Sequence, residues 1–338
     1  IGSGLVGSEM CIRDRIDSMT DKKRRICIIV LIIEIIIIIG LLAGISMTRS
    51  HSKGLQFEIP QEQRTVAANY AVQPLSEDNY WKFVNQRFIL VYDDTGVLQW
   101  VKIDNAFGRN NYDFDSSLLD QGNYKYYTEN GTITSTVGID VSKYQGTIDW
   151  AQVKASGVDF AFVRVGLRGY GNGALVLDDT FDYNVSEALK QDLSVGVYFY
   201  SQAVSYEEGV EEAQFVLQQV KAYNINLPIV LDTEDTMDES ARTGSLTPEQ
   251  RSEACRGFLE TIRAAGYETM IYANLRWIAL ELDLTQLYGY DIWYAQYANE
   301  PALPYQYKIW QYTNEGTVPG ISQPVDLNIG FNGFGKKQ

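Results

Sequence analysis

Histidine is almost missing from this chain of 338 residues: the one copy, His51, lies just after an apolar stretch and far from every other candidate site residue. A Ser-His-Asp triad, a Cys-His pair and a histidine-ligated zinc site are therefore excluded. Cysteine is nearly as scarce, with 3 copies. Cys11 sits in a foreign-looking N-terminal stretch and Cys27 in the apolar run, so Cys255 is left without a partner for a disulfide. It shares a helical face with Ala254, Phe258, Leu259 and Ile262 and reads as a core thiol. Positive charge is short too: residues 51–338 hold 21 Lys and Arg against 38 Asp and Glu, which argues against nucleic acid as a partner. With only 8 prolines and 45% hydrophobic residues the composition is globular. The length suits one α/β domain of roughly 200 residues plus a smaller piece.

Long apolar runs are confined to one place. Residues 4–15 (GLVGSEMCIRDR) resemble a translated sequencing adapter, so residues 1–18 are set apart from the fold and Met19 is expected as the start. Residues 19–25 form a basic tail, and residues 26–47 then carry a single charge, Glu34. At about 1.5 Å per residue this run covers the roughly 30 Å of a bilayer core, and a transmembrane helix is expected. Lys22, Lys23, Arg24 and Arg25 precede it while Arg49 and Lys53 follow, which places the tail in the cytoplasm and the rest of the chain outside. Secretion after signal cleavage is the competing reading, although no clear A-x-A site follows the run.

Residues 48–75 are polar and without sustained period, as in a linker. Residues 76–135 alternate like strands: 88–92 and 97–103 flank Asp94-Thr95-Gly96, and 124–128 and 133–136 flank Asn130-Gly131. Both are hairpin signals, and a small β-rich module is expected there. From residue 136 to 338 short apolar strands alternate with amphipathic helices. Strands are expected at 137–142, 160–167, 195–201, 229–234, 269–274, 292–297, 308–312 and 325–329, enough for a closed barrel. Helices fit between the first five. The clearest starts at Thr247-Pro248-Glu249-Gln250, an N-cap with proline behind it and glutamine placed for a capping box. After the fifth strand only 276–282 reads as helix, so the second half should be irregular.

Acidic residues fall where the strand pattern turns them inward. In the segment from Leu227 to Glu234, alternation puts Val230, Asp232 and Glu234 on one face, with Asp232 and Glu234 roughly 6.5 to 7 Å apart at Cα. Two acids at the C-terminal end of a barrel strand are poorly explained as packing and well placed for catalysis. On the first strand Gly138, Asp140 and Ser142 share a face, and Asp326 adds a fourth acid near the end of the chain. Carboxylates that converge in this way repel one another, which raises at least one pKa toward the working range of a general acid.

The stretches from Gly138 to Gly146 (GIDVSKYQG), Leu231 to Glu234 (LDTE), Ile292 to Tyr297 (IWYAQY), Trp310 to Thr313 (WQYT), Val318 to Gly320 (VPG) and Val325 to Asn328 (VDLN) resemble, in order, the motifs of glycoside hydrolase family 25, the lysozyme family also used in phage endolysins. The resemblance covers about 200 residues and implies an irregular TIM-like (β/α)5(β)3 barrel. It also implies an N-acetylmuramidase that hydrolyses the β-1,4 bond from N-acetylmuramic acid to N-acetylglucosamine in peptidoglycan, without metal or organic cofactor. By motif position Glu234 would be the general acid, Asp232 its partner, and Asp140 and Asp326 supporting acids. No other residue of the motif is an obvious nucleophile, so attack by the substrate's own acetamido oxygen is the expected route.

The third and fifth strands, Val197 to Ser201 (VYFYS) and Ile271 to Asn274 (IYAN), depart from the commoner family wording. Tyr198, Tyr200, Tyr272 and Asn274 are candidate substrate contacts there, with Trp293 and Gln311 on the late strands. Aromatic faces pack on pyranose rings, and Trp293, Trp310 and Tyr312 are the late-strand candidates for that role, with core filling as the alternative; Trp150 reads as core. A chitinase-like or endo-N-acetylglucosaminidase barrel is the nearest other enzyme, but its acidic D-x-x-D-x-D-x-E run is absent here, where Leu227, Pro228 and Val230 stand. A glycan-binding wall protein without catalysis would lack Asp232 or Glu234, and both are present.

Overall fold

Strands with both faces buried need packing partners on either side, and a sheet that closes on itself provides them. In a computed structural model, which describes residues 84–336 apart from Met237 and Glu239, eight strands close in this way. They are β1 (Thr136–Val141), β2 (Phe160–Arg168), β3 (Ser194–Tyr200), β4 (Ile229–Asp232), β5 (Thr269–Asn274), β6 (Asp291–Ala295), β7 (Ile309–Gly316) and β8 (Val325–Gly330). Pairing is parallel from β1 through β7, and β8 is antiparallel to both β7 and β1, which shuts the barrel. A short strand, Leu175–Leu177, folds back on the end of β2.

Side chains divide by parity. Phe160, Phe162, Val230, Met270, Trp293 and Ile309 form a cluster inside the barrel, and Ile139, Val163, Leu231, Ile271 and Tyr294 belong to the larger core outside it. Helices α1 (Trp150–Ala155), α2 (Phe181–Lys190), α3 (Tyr206–Val220) and α4 (Pro248–Ala264) follow the first four strands. The expected capping box opens α4: Thr247 Oγ1 accepts from the Gln250 amide at 3.3 Å and Gln250 Oε1 accepts from the Thr247 amide at 3.0 Å. Cys255 lies on its buried face as a core thiol, pushed up to about 12 by burial. After β5 the chain makes a single π-helical turn, Trp277–Glu281, and the last strands are joined without α-helices, as the sequence pattern implied.

The outward faces of β7 and β8 thus lack helical cover, and residues N-terminal to the barrel supply it. A hairpin of Phe88–Tyr92 with Leu98–Lys102 and a sheet of Leu118–Gln121, Tyr124–Glu129 and Thr132–Ile133 appear close to where turn signals placed them. Tyr112 stacks on Phe331 at 4.1 Å, and Phe114 meets Trp310 at 6.0 Å between ring centroids. The Lys125 amide donates to the Tyr312 hydroxyl at 3.2 Å. The module expected over 76–135 is therefore, over its described residues, a layer that shares the barrel's outer core. It also settles Trp310 and Tyr312 as packing residues, since a bare β7–β8 surface is apolar enough to need cover.

Residues 1–18, the basic tail 19–25, the apolar run 26–47 and the linker 48–75 lie outside the described residues. Among the described residues no helix is long and apolar enough to cross a membrane.

Helices α3 and α4 approach closely through two glycines. A Cβ on Gly209 would lie 2.1 Å from the Ala254 carbonyl oxygen, and one on Gly257 would lie 2.0 Å from that of Tyr206. Neither backbone can yield without separating the helices. Gly257→Ala gains about 1 kcal/mol of helix propensity but incurs an overpacking cost of about 1 to 3 kcal/mol or more. The clash should win, and chemical denaturation is expected to show a lower midpoint; an unchanged or higher midpoint would mean the helices can separate freely.

Candidate active site

At the C-terminal mouth of the barrel the inward positions turn from apolar to ionisable. On β2 the series Phe160, Phe162, Arg164 runs from floor to mouth; on β4 it is Val230 then Asp232. Asp140 and Asp326 are register partners across the β8–β1 seam and so project from the same face. Asp232 pairs in register with Tyr200 on one side and Tyr272 on the other. The expected strand 229–234 stops at Asp232, which places Glu234 two residues beyond it in the loop, half-buried, while Asp140 and Asp232 are each 6% exposed. Leaving the strand frees Glu234 from the ladder's spacing, so the Cα separation read from an ideal strand does not govern this pair.

Asp140 is the best-held of the four acids. Its Oδ2 accepts from Gln311 Nε2 at 3.0 Å and from Asn328 Nδ2 at 2.8 Å. Both amides are themselves oriented: Trp293 Nε1 donates to Asn328 Oδ1 at 2.8 Å, and the hydroxyls of Tyr272 and Tyr297 donate to Gln311 Oε1 at 2.9 and 3.0 Å. Asp232 is different, because its Oδ1 is buried and receives no hydrogen bond from the described residues. A buried, unsatisfied carboxylate oxygen facing a mouth is a strong acceptor for a donor on an incoming molecule.

Burial raises all four pKa values, and repulsion between carboxylates adds to it at Asp232, Glu234 and Asp326. Glu234 is pushed up to about 7, first by burial and then by the charges of Asp140 and Asp235. Asp140 is pushed up to about 6 by burial, against the lowering effect of its two amide donors. Asp232 and Asp326 are raised well above the carboxylate range, again by burial first. Four such groups cannot all be ionised near neutrality, so they hold protons jointly. Arg164 is the cation that offsets this at Asp232. It is 8% exposed, with Nη2 2.7 Å from the Asp178 carboxylate and the Tyr144 ring 5.1 Å away.

The candidate substrate contacts divide. Tyr198, Tyr200 and Tyr272 are half-buried around the mouth. Asn274 Oδ1 accepts from the Trp277 amide at 2.9 Å and so caps the turn after β5. Trp293, 1% exposed, and Gln311, 2% exposed, lie beneath the acids, where they orient Asn328 and Asp140. Arg164 and Asp178 were not singled out from the sequence, and Tyr297 was named only as the last residue of the motif from Ile292, without a role. Arg164 had a readable signal, since an arginine in phase with Phe160 and Phe162 must point into the barrel; Tyr297 had its motif as a signal, but it lies beyond β6, which ends at Ala295, so strand alternation does not give its direction.

The model of the family "Glycosyl hydrolases family 25" matches residues 139–321. The chain is similar to the autolytic lysozyme of Clostridium acetobutylicum, 25% identical over 192 residues that make up 56% of this chain and 54% of that protein. It thus spans about half the length of this relative. Lysozyme M1 of Streptomyces globisporus is 26% identical over 205 residues, 58% of this chain and 67% of that one. The crystal structure of a bacterial lysozyme from Streptomyces coelicolor superposes with a TM-score of 0.50 at 27% identity, covering 59% of this chain and 92% of that one. Matched over more than half its length, with the acids of the motifs gathered at one barrel mouth, the chain belongs to glycosyl hydrolases family 25.

Proposed function

We propose that the chain is a peptidoglycan hydrolase of the lysozyme type, an N-acetylmuramidase, in which Glu234 is the general acid. The observation that carries this reading is the single mouth shared by Asp140, Asp232, Glu234 and Asp326, in which Glu234 is half-buried, stands in the loop beyond its strand and is raised to about 7. A carboxyl group with that pKa is largely protonated in mildly acidic solution and about half protonated at neutrality, and can give its proton to the glycosidic oxygen as the C1–O bond breaks. The charges of Asp140 and Asp235 add to burial in holding that proton on Glu234, and Arg164 acts at Asp232.

Glu234→Gln keeps the side-chain shape and removes the proton. Loss of general acid catalysis is worth about 10² to 10⁴ in rate, roughly 3 to 5 kcal/mol of barrier. Wild-type protein should release fragments from purified peptidoglycan whose reducing ends, by mass spectrometry, are N-acetylmuramic acid, and the variant should release almost none. N-acetylglucosamine at the reducing ends, or variant turnover within tenfold of wild type, contradicts the assignment. Because the Glu234 pKa is raised, the active protonated form persists at low pH and is lost as pH rises through about 7. The basic limb of the kcat profile should fall there.

Asp232, beside the acid and with an unsatisfied oxygen, fits the partner of a substrate-assisted reaction. The acetamido oxygen attacks C1 as the leaving sugar takes the proton of Glu234; Asp232 accepts the acetamido N–H and stabilises the positive charge that develops there. Water then attacks C1, breaking its bond to the acetamido oxygen and so restoring the acetamide, and loses its proton to Glu234. De-N-acetylated walls should therefore be cut poorly, and equal cleavage of both walls would return the choice to direct attack by water or a carboxylate.

Residues 26–47 are proposed as a membrane anchor that leaves the barrel outside the cell, supported by the length of the run and the basic residues before it. Protease added to wall-stripped cells should digest the barrel and spare an N-terminal tag; protection of the barrel would exclude this topology.

A further inference from the structure

Glu234 has left its strand, so something other than the β4 ladder must fix its position. The residues on either side of it are held by two consecutive residues of the segment after β5. Trp277 Nε1 donates to Thr233 Oγ1 at 2.9 Å, in a fully buried contact, and Arg276 Nη1 donates to Asp235 Oδ2 at 3.3 Å. Trp277 is 5% exposed and opens the π-helical turn. Two guanidinium groups lie near its ring, that of Arg251 4.6 Å and that of Arg276 5.7 Å from the centroid. Thr233 is 5% exposed, and its amide donates to the Tyr272 carbonyl at 3.2 Å. π-turns recur at functional sites because the extra residue redirects a side chain that an α-helix would aim elsewhere.

We infer that Trp277 is a positioning residue for the reaction, its indole N–H holding Thr233 so that Glu234 is presented to the scissile bond. The inference rests on the assignment of Glu234 as general acid. Thr233 faces away from the mouth, between two residues that face it, so a hold on its hydroxyl fixes the peptide from which both acids are displayed. Arg276 steadies the following residue and balances the Asp235 charge beside the acid. The far end of the same loop is held without Trp277 by paired contacts of Arg242 with Glu208 at 2.7 Å, and Arg251 Nη2, whose guanidinium also lies over the Trp277 ring that Trp277→Phe would keep aromatic, donates to the Thr243 carbonyl at 3.2 Å. Releasing Trp277 should therefore loosen the acid without unfolding the loop.

The test compares Trp277→Phe, which keeps the ring and loses the N–H, with Thr233→Val, which keeps the shape and loses the hydroxyl, on soluble peptidoglycan fragments. Misplacement of a reacting group by about 1 Å costs up to about a hundredfold, so each variant should lower kcat by about tenfold or more and leave KM within about twofold. Greater solvent access to Glu234 should also move the basic limb of the kcat profile to lower pH, which a purely structural role would not do. The double variant should lose no more than either single one, and Thr233→Ser should retain wild-type rates. Should Trp277→Phe fail to fold, Thr233→Val and Thr233→Ser carry the test alone. Wild-type kcat and pH profile in Thr233→Val, or losses that multiply in the double variant, overturn the inference while an inactive Glu234→Gln leaves the acid assignment standing. An active Glu234→Gln overturns both.

Discussion

The double hydrogen bond accepted by Asp140 is the contact on which barrel and site both depend. Gln311 comes from β7 and Asn328 from β8, so one carboxylate on β1 ties together the three strands around the antiparallel seam. Here the fold abandons the repeating parallel unit, and no helix crosses over to brace the strands. A charged acceptor shared by two oriented amides is stronger than a neutral pair, and the low-dielectric interior strengthens it further. The same contact delivers a carboxylate to the mouth in a fixed orientation. Closing the barrel and building the site are thus one event in this chain, and the ring of donors behind Asp140, from Trp293 to Tyr297, is its foundation.

A barrel with helices on only part of its circumference has to cover the remainder. The residues N-terminal to β1 do so with aromatic rings, Tyr112 and Phe114 against Phe331 and Trp310, and with backbone contacts such as Asn110 to the Pro304 carbonyl at 2.9 Å. Read alone, those residues look like a spacer or a small independent module, because their alternation shows strands and turns without showing what the strands face. Their partners lie about two hundred positions away in the chain. Local patterning does not encode such a pairing, and only the shortage of helices after β5 hinted that cover was needed.

The legible and illegible parts of the site divide along the same line. Asp140, Asp232 and the inward alternation of β1 and β4 depend on period two, which a single segment displays. The capping box of α4 depends on four adjacent residues. By contrast, Trp293 looked like a sugar platform because tryptophan on a late strand fits that role; its burial under Asn328 depends on how deep β6 sits relative to β8. Gln311 was legible as a site residue through its motif, but its function of holding Asp140 is set by register between strands. Arg164 was within reach of the parity argument. Trp277 was not, since an irregular turn has no period to read.

The acids of the mouth oppose stability as they favour chemistry. Each carboxyl whose pKa is raised on folding binds protons more tightly in the native state, so its contribution to stability is present at low pH and is lost as pH rises through the native value. For Asp140 and Glu234 that window runs from the ordinary carboxylate range up to about 6 and about 7. Near neutrality the fold therefore carries a penalty which the apolar interior and the Asp140 network must outweigh. Arg164 limits it without removing it, because its guanidinium is already committed to Asp178. A free cation in the mouth would relieve the repulsion, but it would also hold Glu234 ionised and deprive it of the proton it has to give. Burial, with the residual repulsion added to it, is what keeps an acid protonated at this mouth, and the rigid supports behind Asp140 and beside Thr233 are what allow the fold to tolerate it.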